Sequence, residues 1–151
     1  MSVERTLVLV KPDGVQRGLV GDVLGRLERR GLKLIGLKLI QMDDELANQH
    51  YEAHLEKPFF PGLKAFMTSS PLVAAVFEGP NAVQAARATM GATNPVESGA
   101  GTIRGDFGID IGRNVVHGSD SPEAGEREAG IFFQPTELLT WERDTDRWLV
   151  E

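Results

Sequence analysis

Residues 7–14 read Leu-Val-Leu-Val-Lys-Pro-Asp-Gly, and the change of pattern within this stretch decides the fold. Four consecutive apolar residues that stop at Lys-Pro-Asp-Gly are typical of a buried strand that runs into a turn. Lys11 is therefore expected at the C-terminal end of a strand, where its charge can meet a bound anion.

Outside this stretch, apolar spacing divides the chain into strands and helices that alternate. Further strands are predicted at residues 33–42, 72–77 and 115–117, with a bulge at Gly36. Helical spacing marks five segments, at residues 19–30, 44–56, 63–67, 83–90 and 122–130. This order predicts an α+β fold of the ferredoxin-like (split β-α-β) type, a four-stranded antiparallel sheet with helices packed on one face.

Residues 91–112 form a long segment without a clear period, and it contains six glycines. A connection longer than about 12 to 15 residues inside a compact domain is usually functional or disordered. Thr102-Ile103-Arg104-Gly105-Asp106-Phe107 supplies apolar and aromatic anchors, which favours a functional loop. Arg104-Gly105-Asp106 is interpreted as a backbone turn within it.

The composition fits one domain, residues 1–151, in which residues 131–151 form an aromatic C-terminal arm that docks on the body or on a neighbouring subunit. Hydrophobic residues make up 41% and charged residues 25%, as in globular proteins. No apolar run approaches the roughly 20 residues that cross a bilayer, and the first residues lack the pattern of a signal peptide. We therefore expect a cytoplasmic protein with no membrane partner.

The charge balance restricts the class of partner. Sixteen basic and 22 acidic side chains give a formal net charge of −6. This charge disfavours nucleic acid as a partner, because affinity for nucleic acid comes mostly from neutralised phosphates. A ferredoxin-like nucleic-acid module without catalysis remains an alternative, but it predicts a basic excess and paired aromatic residues on adjacent strands. The absence of cysteine excludes a thiolate nucleophile and a cysteine-ligated metal.

Residues 113–121 read Arg-Asn-Val-Val-His-Gly-Ser-Asp-Ser and contain the candidate nucleophile, His117. Imidazole has an ordinary pKa of about 6.5, so a neutral fraction is present at physiological pH. Asn114, Ser119 and Glu128 are close enough in sequence to orient it. A histidine that is only hydrogen-bonded at the end of a strand is the alternative.

Two common nucleotide-binding motifs are missing, namely G-x-x-x-x-G-K-[ST] and G-x-G-x-x-G. A phosphate group would then have to be held by scattered basic side chains, each of which is also compatible with an ordinary surface charge. Those near glycine, proline or loop signals are Lys11, Arg87, Arg104 and Arg113.

His50 and His54 have the spacing of two metal ligands on one helix. A catalytic zinc site of this kind has the order His-Glu-x-x-His, whereas this chain has His-Tyr-Glu-Ala-His. We therefore predict no protein-held metal site, and a structural zinc site on these two histidines is kept only as a weak alternative.

Four motifs together resemble the nucleoside diphosphate kinase family. They are Thr-Leu-Val-Leu-Val-Lys-Pro-Asp-Gly at 6–14, Lys-Pro-Phe-Phe at 57–60, Gly-Thr-Ile-Arg-Gly-Asp-Phe at 101–107 and Asn-Val-Val-His-Gly-Ser-Asp at 114–120. The likeness covers essentially the whole chain. One departure is Ala100, where the family often has proline, so the long loop is expected to be somewhat less rigid.

The resemblance implies a magnesium-dependent ping-pong phosphotransfer. His117 would attack the γ-phosphate of a nucleoside triphosphate through Nδ1 and pass it to a nucleoside diphosphate, with Glu128 positioning the ring and Ser119 nearby. Magnesium would arrive with the nucleotide, with Asp120 touching it through water. The family's hexameric members have an arm like this one, so a homohexamer is preferred over a tetramer.

The remaining binding residues follow from the same resemblance. Lys11, Arg87, Thr93 and Arg104 match the phosphate-binding positions. Asn114, together with Lys11, matches a ribose-binding position. Phe59 matches the aromatic ring on which the base stacks, and Tyr51 matches a residue that lines the phosphate site.

Overall fold

The computed structural model describes residues 2–151. Four strands make one sheet: β1 (Val3–Val10), β2 (Lys33–Ile40), β3 (Leu72–Pro80) and β4 (Val116–Gly118). The helices are α1 (Pro12–Gln16), α2 (Val20–Arg30), α3 (Asp44–His50), α4 (Phe60–Met67), α5 (Ala82–Met90), α6 (Ile103–Phe107) and α7 (Pro122–Phe132). Single 3-10 turns occur at Glu52–His54, Pro95–Glu97, Pro135–Glu137 and Asp146–Trp148.

The sheet has the strand order β2-β3-β1-β4, and all neighbouring strands are antiparallel. This confirms the predicted α+β class and the four-stranded antiparallel sheet. The register of β2 against β3 shifts between Leu34 and Gly36, so the predicted bulge is also present. In the pairing of β1 with β4, Leu9 lies opposite His117, and the candidate nucleophile is thereby fixed beside the central strand.

Helices cover both faces of the sheet, so the prediction of one covered face was wrong. Leu7 and Leu9 of β1 belong to a buried cluster with α3, α4 and α7. Val8 and Val10 belong to a second cluster with α2, α5 and α6. Because successive side chains of a strand point to opposite faces, a run that is apolar at every position needs cover on both sides.

Several helix limits differ from the sequence-based prediction. The Lys-Pro-Asp-Gly stretch is the start of α1 rather than a turn, because proline fits the first turn of a helix. For the same reason Pro61 lies in the first turn of α4, which begins at Phe60, before the predicted start at residue 63. The helix predicted to reach Glu56 ends at His50 and is followed by the 3-10 turn. Helix α7 continues past Gly130 to Phe132, whose buried side chain extends the packing.

The glycine-rich segment contains a helix that its sequence did not reveal. Arg104-Gly105-Asp106 lies within α6, so the predicted backbone turn was wrong. The hydroxyl of Thr102 caps this helix by accepting a hydrogen bond from the N–H of Gly105 at 3.0 Å. Ile103 and Arg104 are both buried, so α6 is stabilised mainly by the contacts it makes with the body.

The C-terminal arm docks on this chain's own body, beside the edge strand β2. The N–H of Leu139 donates to the carbonyl oxygen of Ile35 at 2.9 Å, and Trp141 Nε1 donates to that of Leu34 at 3.1 Å. None of the helices within residues 2–151 is both long enough and apolar enough to cross a membrane.

Candidate active site

A cavity of about 400 Å³ opens where β1 and β4 end beside α3, α5 and α7. Its lining combines four positively charged groups with imidazole, hydroxyl, amide and carboxylate groups. The residues are Lys11, His50, Tyr51, Ala53, His54, Arg87, Thr93, Arg104, Asn114, His117, Gly118, Asp120, Arg127 and Glu128. A pocket of this composition suits a polyanion that also carries hydrogen-bonding groups.

A strained turn at Val115 lies between two residues of the cavity lining, Asn114 and His117. Val115 has φ 74°, and the N–H of Val116 donates to the carbonyl oxygen of Asn114 at 2.8 Å, which closes a three-residue γ-turn. Positive φ is rare for a β-branched residue, so neighbouring contacts must hold it. Two do so: Asp13 Oδ2 accepts from the N–H of Val115 at 3.0 Å, and the N–H of Lys11 donates to its carbonyl at 2.9 Å.

Lys11 begins a chain of polar contacts across the floor of the cavity. Its Nζ donates to Oδ1 of Asn114 at 2.9 Å, and Nδ2 of Asn114 donates to the carbonyl oxygen of Thr93 at 2.9 Å. Burial, reinforced by the Arg104 guanidinium and opposed by the Asp13 carboxylate, lowers the pKa of Lys11 to about 8. An anion in the cavity would therefore favour the charged form of this lysine.

Arg104 is buried, and backbone carbonyls occupy much of its guanidinium. Nε, Nη1 and Nη2 donate to the carbonyl oxygens of Asn114, Gly91 and Val116 at 3.2, 3.1 and 2.6 Å. Burial first, and Arg87 second, lowers its pKa to about 10. Arg104 thus ties α6 to the segment before β4, in addition to lining the cavity.

His117 is oriented by a carboxylate. Its Nε2 lies 3.0 Å from Oε1 of Glu128, and the hydroxyl of Ser119 donates to the same oxygen at 2.8 Å. Burial alone would raise the pKa of Glu128, but the hydrogen bonds from His117 and Ser119 leave that pKa below its ordinary value. An ionised carboxylate only accepts hydrogen bonds, so Nε2 carries the hydrogen and Nδ1 keeps its lone pair.

Helix α7 brings Glu128 to the histidine. Ser121 caps it by accepting from the N–H of Ala124 at 3.0 Å, with Pro122 at the first helical position, as predicted. Gly125 allows α7 to lie directly against β1, because a Cβ there would overlap the carbonyl oxygen of Arg5. On the second turn after the cap, Glu128 is 6% exposed and faces β4.

Ser119 and Phe59 are the two predicted site residues that do not line the cavity. Ser119 is fully buried behind Glu128, where its hydroxyl also accepts a hydrogen bond from the N–H of Leu7 at 2.9 Å. Phe59 is 53% exposed and packs at the outer edge against His54, with ring centroids 5.5 Å apart. The other eight predicted residues all line the cavity.

Tyr51 is buried in the cavity lining. Burial first, and the Glu128 carboxylate second, raises the pKa of its hydroxyl well above the ordinary value. The Tyr51 hydroxyl is therefore a neutral donor for an oxygen of a bound anion.

Three residues do not match the phosphate-binding candidates that the sequence suggests. Arg113 stacks its guanidinium over the ring of Phe66, 4.1 Å from the centroid, outside the cavity lining. Arg127 lines the cavity, although no feature of the sequence marked it. Asp13 was assigned only to a turn, and its hydrogen bond to a residue 102 positions away has no sequence signal.

The sequence offers His50 and His54 as a pair of metal ligands on one helix. Helix α3 ends at His50, so His54 lies in the following 3-10 turn and not on the same helix. Within residues 2–151, no group of three or more histidine, aspartate or glutamate side chains is arranged to hold a metal ion. His50 is 5% exposed, and its ring centroid lies 4.8 Å from that of His117.

Comparison with known proteins identifies the family. The nucleoside diphosphate kinase family model matches residues 4–138. The nucleoside diphosphate kinase of Gloeobacter violaceus is 60% identical over 99% of this chain and 100% of its own length, and that of Archaeoglobus fulgidus is 56% identical over 99% of each.

Solved structures agree with these sequence matches. A halophilic nucleoside diphosphate kinase from Halobacterium salinarum, in complex with CDP, superposes with a TM-score of 0.96 at 51% identity, covering 99% of this chain and 100% of that one. A nucleoside diphosphate kinase family protein from Babesia bovis superposes with a TM-score of 0.95 at 48% identity, covering 97% of this chain and 99% of that one. The chain is therefore an enzyme of the nucleoside diphosphate kinase family, whose members move a phosphoryl group between nucleotides by a ping-pong mechanism through a phosphohistidine.

Proposed function

We propose that His117 carries the phosphoryl group in this chain and that Glu128 positions it. The observation that supports this is the contact of Nε2 with the Glu128 carboxylate at 3.0 Å, in a cavity that Lys11, Arg87 and Arg104 also line. The hydrogen on Nε2 leaves the Nδ1 lone pair as the nucleophile.

The reaction proceeds in two half-reactions with balanced charge. Nδ1 of His117 forms a bond to the γ-phosphorus, and the bond from that phosphorus to the bridging oxygen breaks with its electrons, which releases the nucleoside diphosphate. In the second half-reaction, a terminal phosphate oxygen of another nucleoside diphosphate attacks, and Nδ1 leaves with its lone pair restored. Glu128 holds the proton on Nε2 throughout and offsets the positive charge that develops on the ring.

The phosphates are held by side chains rather than by a glycine-rich loop. Lys11, Arg87 and Arg104 supply positive charge to the transferring group and the β-phosphate, and Thr93 and Tyr51 supply hydroxyl groups. Because Arg104 already donates to three carbonyls, it is rigid and offers only its remaining N–H groups. The site is thus preorganised for an anion before the nucleotide arrives.

The sugar and base of the bound nucleotide extend outward from its phosphates. Asn114 and Lys11, which are already hydrogen-bonded to each other, face the sugar hydroxyls. Phe59 offers an exposed ring for stacking of the base, a contact that tolerates any base because every base has a π-face. The Halobacterium salinarum relative was solved in complex with CDP, which supports a nucleoside diphosphate as the ligand of this chain.

Magnesium fits this site as an ion that the nucleotide carries. Asp120 is a carboxylate in the cavity lining, and residues 2–151 do not bring together a ligand set of their own. The ion would be held by phosphate oxygens and water, with Asp120 reaching it through water, and it would neutralise phosphate charge.

We also propose that residues 1–151 form a single cytoplasmic domain that assembles into a homohexamer. Two separate exposed apolar patches support an assembly larger than a dimer. One is on the edge strand, with Leu37 51% and Leu39 66% exposed; the other is on the long loop, with Ile109 83% and Ile111 57% exposed. A mass measurement in solution distinguishes hexamer from tetramer.

The test of the catalytic role is labelling with ATP that is radioactive in its γ-phosphate. The protein should acquire label that is stable in alkali and labile in acid, and addition of unlabelled nucleoside diphosphate should remove it. His117→Ala should not take up label. Label in that variant, or acid-stable label in the original protein, would assign the phosphoryl group to another residue.

A further inference from the structure

His50 is a buried titratable residue that the phosphotransfer steps leave unused. It is the last residue of α3, and both of its ring nitrogens are buried without a hydrogen-bond partner among residues 2–151. Its ring lies nearly perpendicular to that of His117, at 84° with centroids 4.8 Å apart. His50 therefore contacts the nucleophilic ring itself.

A single hydrogen bond does not fix the plane of an imidazole ring. The bond from Nε2 to Glu128 holds one atom of His117, and the ring remains free to rotate about that contact. A flat side chain packed against it at a steep angle removes this freedom. Without such a contact, Nδ1 would spend part of its time turned away from the phosphate.

His50 is itself held rigidly. Tyr51 and Phe132 contact it edge to face, with centroids 4.5 and 5.1 Å away. Three rings thus surround it, from the residue after α3, from α7 and from β4, and the side chain has little room to move.

The charges that face His50 favour its neutral form. Burial, together with His117, Arg127 and Lys11, lowers the pKa of His50 to about 3, and Glu128 opposes this only partly. A neutral His50 does not compete with His117 for the Glu128 carboxylate. The ring can therefore act as an uncharged packing surface throughout turnover.

We propose that His50 is a positioning residue for phosphotransfer, whose ring fixes the plane of His117 so that Nδ1 stays directed into the cavity. The inference rests on the proposed role of His117 as phosphoryl carrier. It adds a second restraint to the one that Glu128 supplies, and it acts through the ring of His117.

The test compares His50→Leu, which removes the flat ring, with His50→Phe, which keeps it. His50→Leu should slow phosphoenzyme formation at saturating ATP by about ten-fold to a hundred-fold, with less than about a three-fold change in the KM for nucleotide. His50→Phe should recover most of the rate. Leu46→Ala, on the same helix and packed against the core cluster on that face of the sheet, is the control for loss of stability.

Nuclear magnetic resonance of the His117 ring nitrogens supplies a readout that lost stability alone does not change. The hydrogen should stay on Nε2 in all three proteins because Glu128 is unchanged, whereas relaxation of the ring signals should show added motion of the His117 ring only in His50→Leu. Label formation at the original rate in folded His50→Leu overturns the proposal, and so does a His50→Phe rate as slow as that of His50→Leu. Failure of the original protein to form acid-labile label would instead overturn the role of His117.

Discussion

The carboxylate of Asp13 accepts a hydrogen bond from the backbone N–H of Val115 across 3.0 Å, and it joins the first helix to the segment that carries the nucleophile. Val115 has a positive φ of 74°, which a β-branched residue adopts only when its surroundings enforce it. The distance from Lys11 to His117 therefore depends on a strained turn that a single side chain stabilises.

Asp13→Ala should lower both activity and stability. The N–H of Val115 would lose its partner, which costs about 1–3 kcal/mol for a buried group, and the turn would relax toward a less strained conformation. Asp13→Asn should keep most of the activity, because its amide oxygen can accept the same bond. Measurements of kcat/KM and of the thermal unfolding temperature check this prediction. Equal losses of activity and stability in Asp13→Ala and Asp13→Asn would contradict it.

Arg104 and Arg87 should respond differently to replacement by lysine. Arg104→Lys removes up to three hydrogen bonds to backbone carbonyl oxygens, so unfolding should occur several degrees lower, by about 2–4 °C per kcal/mol for a chain of this size. The side chain of Arg87 donates no hydrogen bond to another residue within residues 2–151, so Arg87→Lys should lose activity with little change in stability. Calorimetry measures the Tm of each variant, and steady-state kinetics measures its activity. A similar drop in Tm for both would show that the carbonyl contacts of Arg104 do not stabilise the fold.

Nucleotide binding should be accompanied by proton uptake above neutral pH. Burial lowers the pKa of Lys11 to about 8, so at about pH 8.5 much of the lysine is neutral, whereas bound phosphates favour the ammonium form and raise its pKa. Affinity should also weaken as pH rises through this range. Titration calorimetry with a nucleoside diphosphate, in two buffers of different ionisation enthalpy, measures the uptake. Lys11→Gln is the control, and uptake of the same size in that variant would assign the proton to another group.

Features that depend on neighbours along the chain were predictable from the sequence. The apolar run before Lys11, the Ser121-Pro122 cap and the bulge at Gly36 each follow from local backbone or packing rules. The family resemblance then grouped the cavity residues, which composition and spacing alone had left as candidates.

Features that depend on contacts distant in sequence were not predictable. Helix α6 has no apolar period of its own that would mark it in the sequence. It is stabilised by the burial of Ile103 and Arg104 against the rest of the protein. His50 has the helical spacing of an ordinary core residue, and only the pairing of β1 with β4 brings His117 against it. Such placements follow from the tertiary structure, and a local pattern does not contain them.

The buried state of His50 should make the protein sensitive to acid, and His50→Phe should reduce this sensitivity. Burial lowers the pKa of His50 from its ordinary 6.5 to about 3. Between these values the unfolded chain binds a proton that the folded chain does not, so the free energy of unfolding falls as pH is lowered through this window. The slope contributed by this one group is at most about 1.4 kcal/mol per pH unit.

Urea unfolding measures the contribution of His50 to this pH dependence. The original protein and His50→Phe are compared at equal protein concentration, at about pH 7 and at about pH 5. The variant should gain stability relative to the original protein as pH falls. Glu128 also titrates in acid, but its contribution is largely common to both proteins and cancels in the difference. If the free energies of unfolding of the two proteins changed with pH in parallel, His50 would be protonated in the folded state. A charged His50 ring would then compete with His117 for the Glu128 carboxylate.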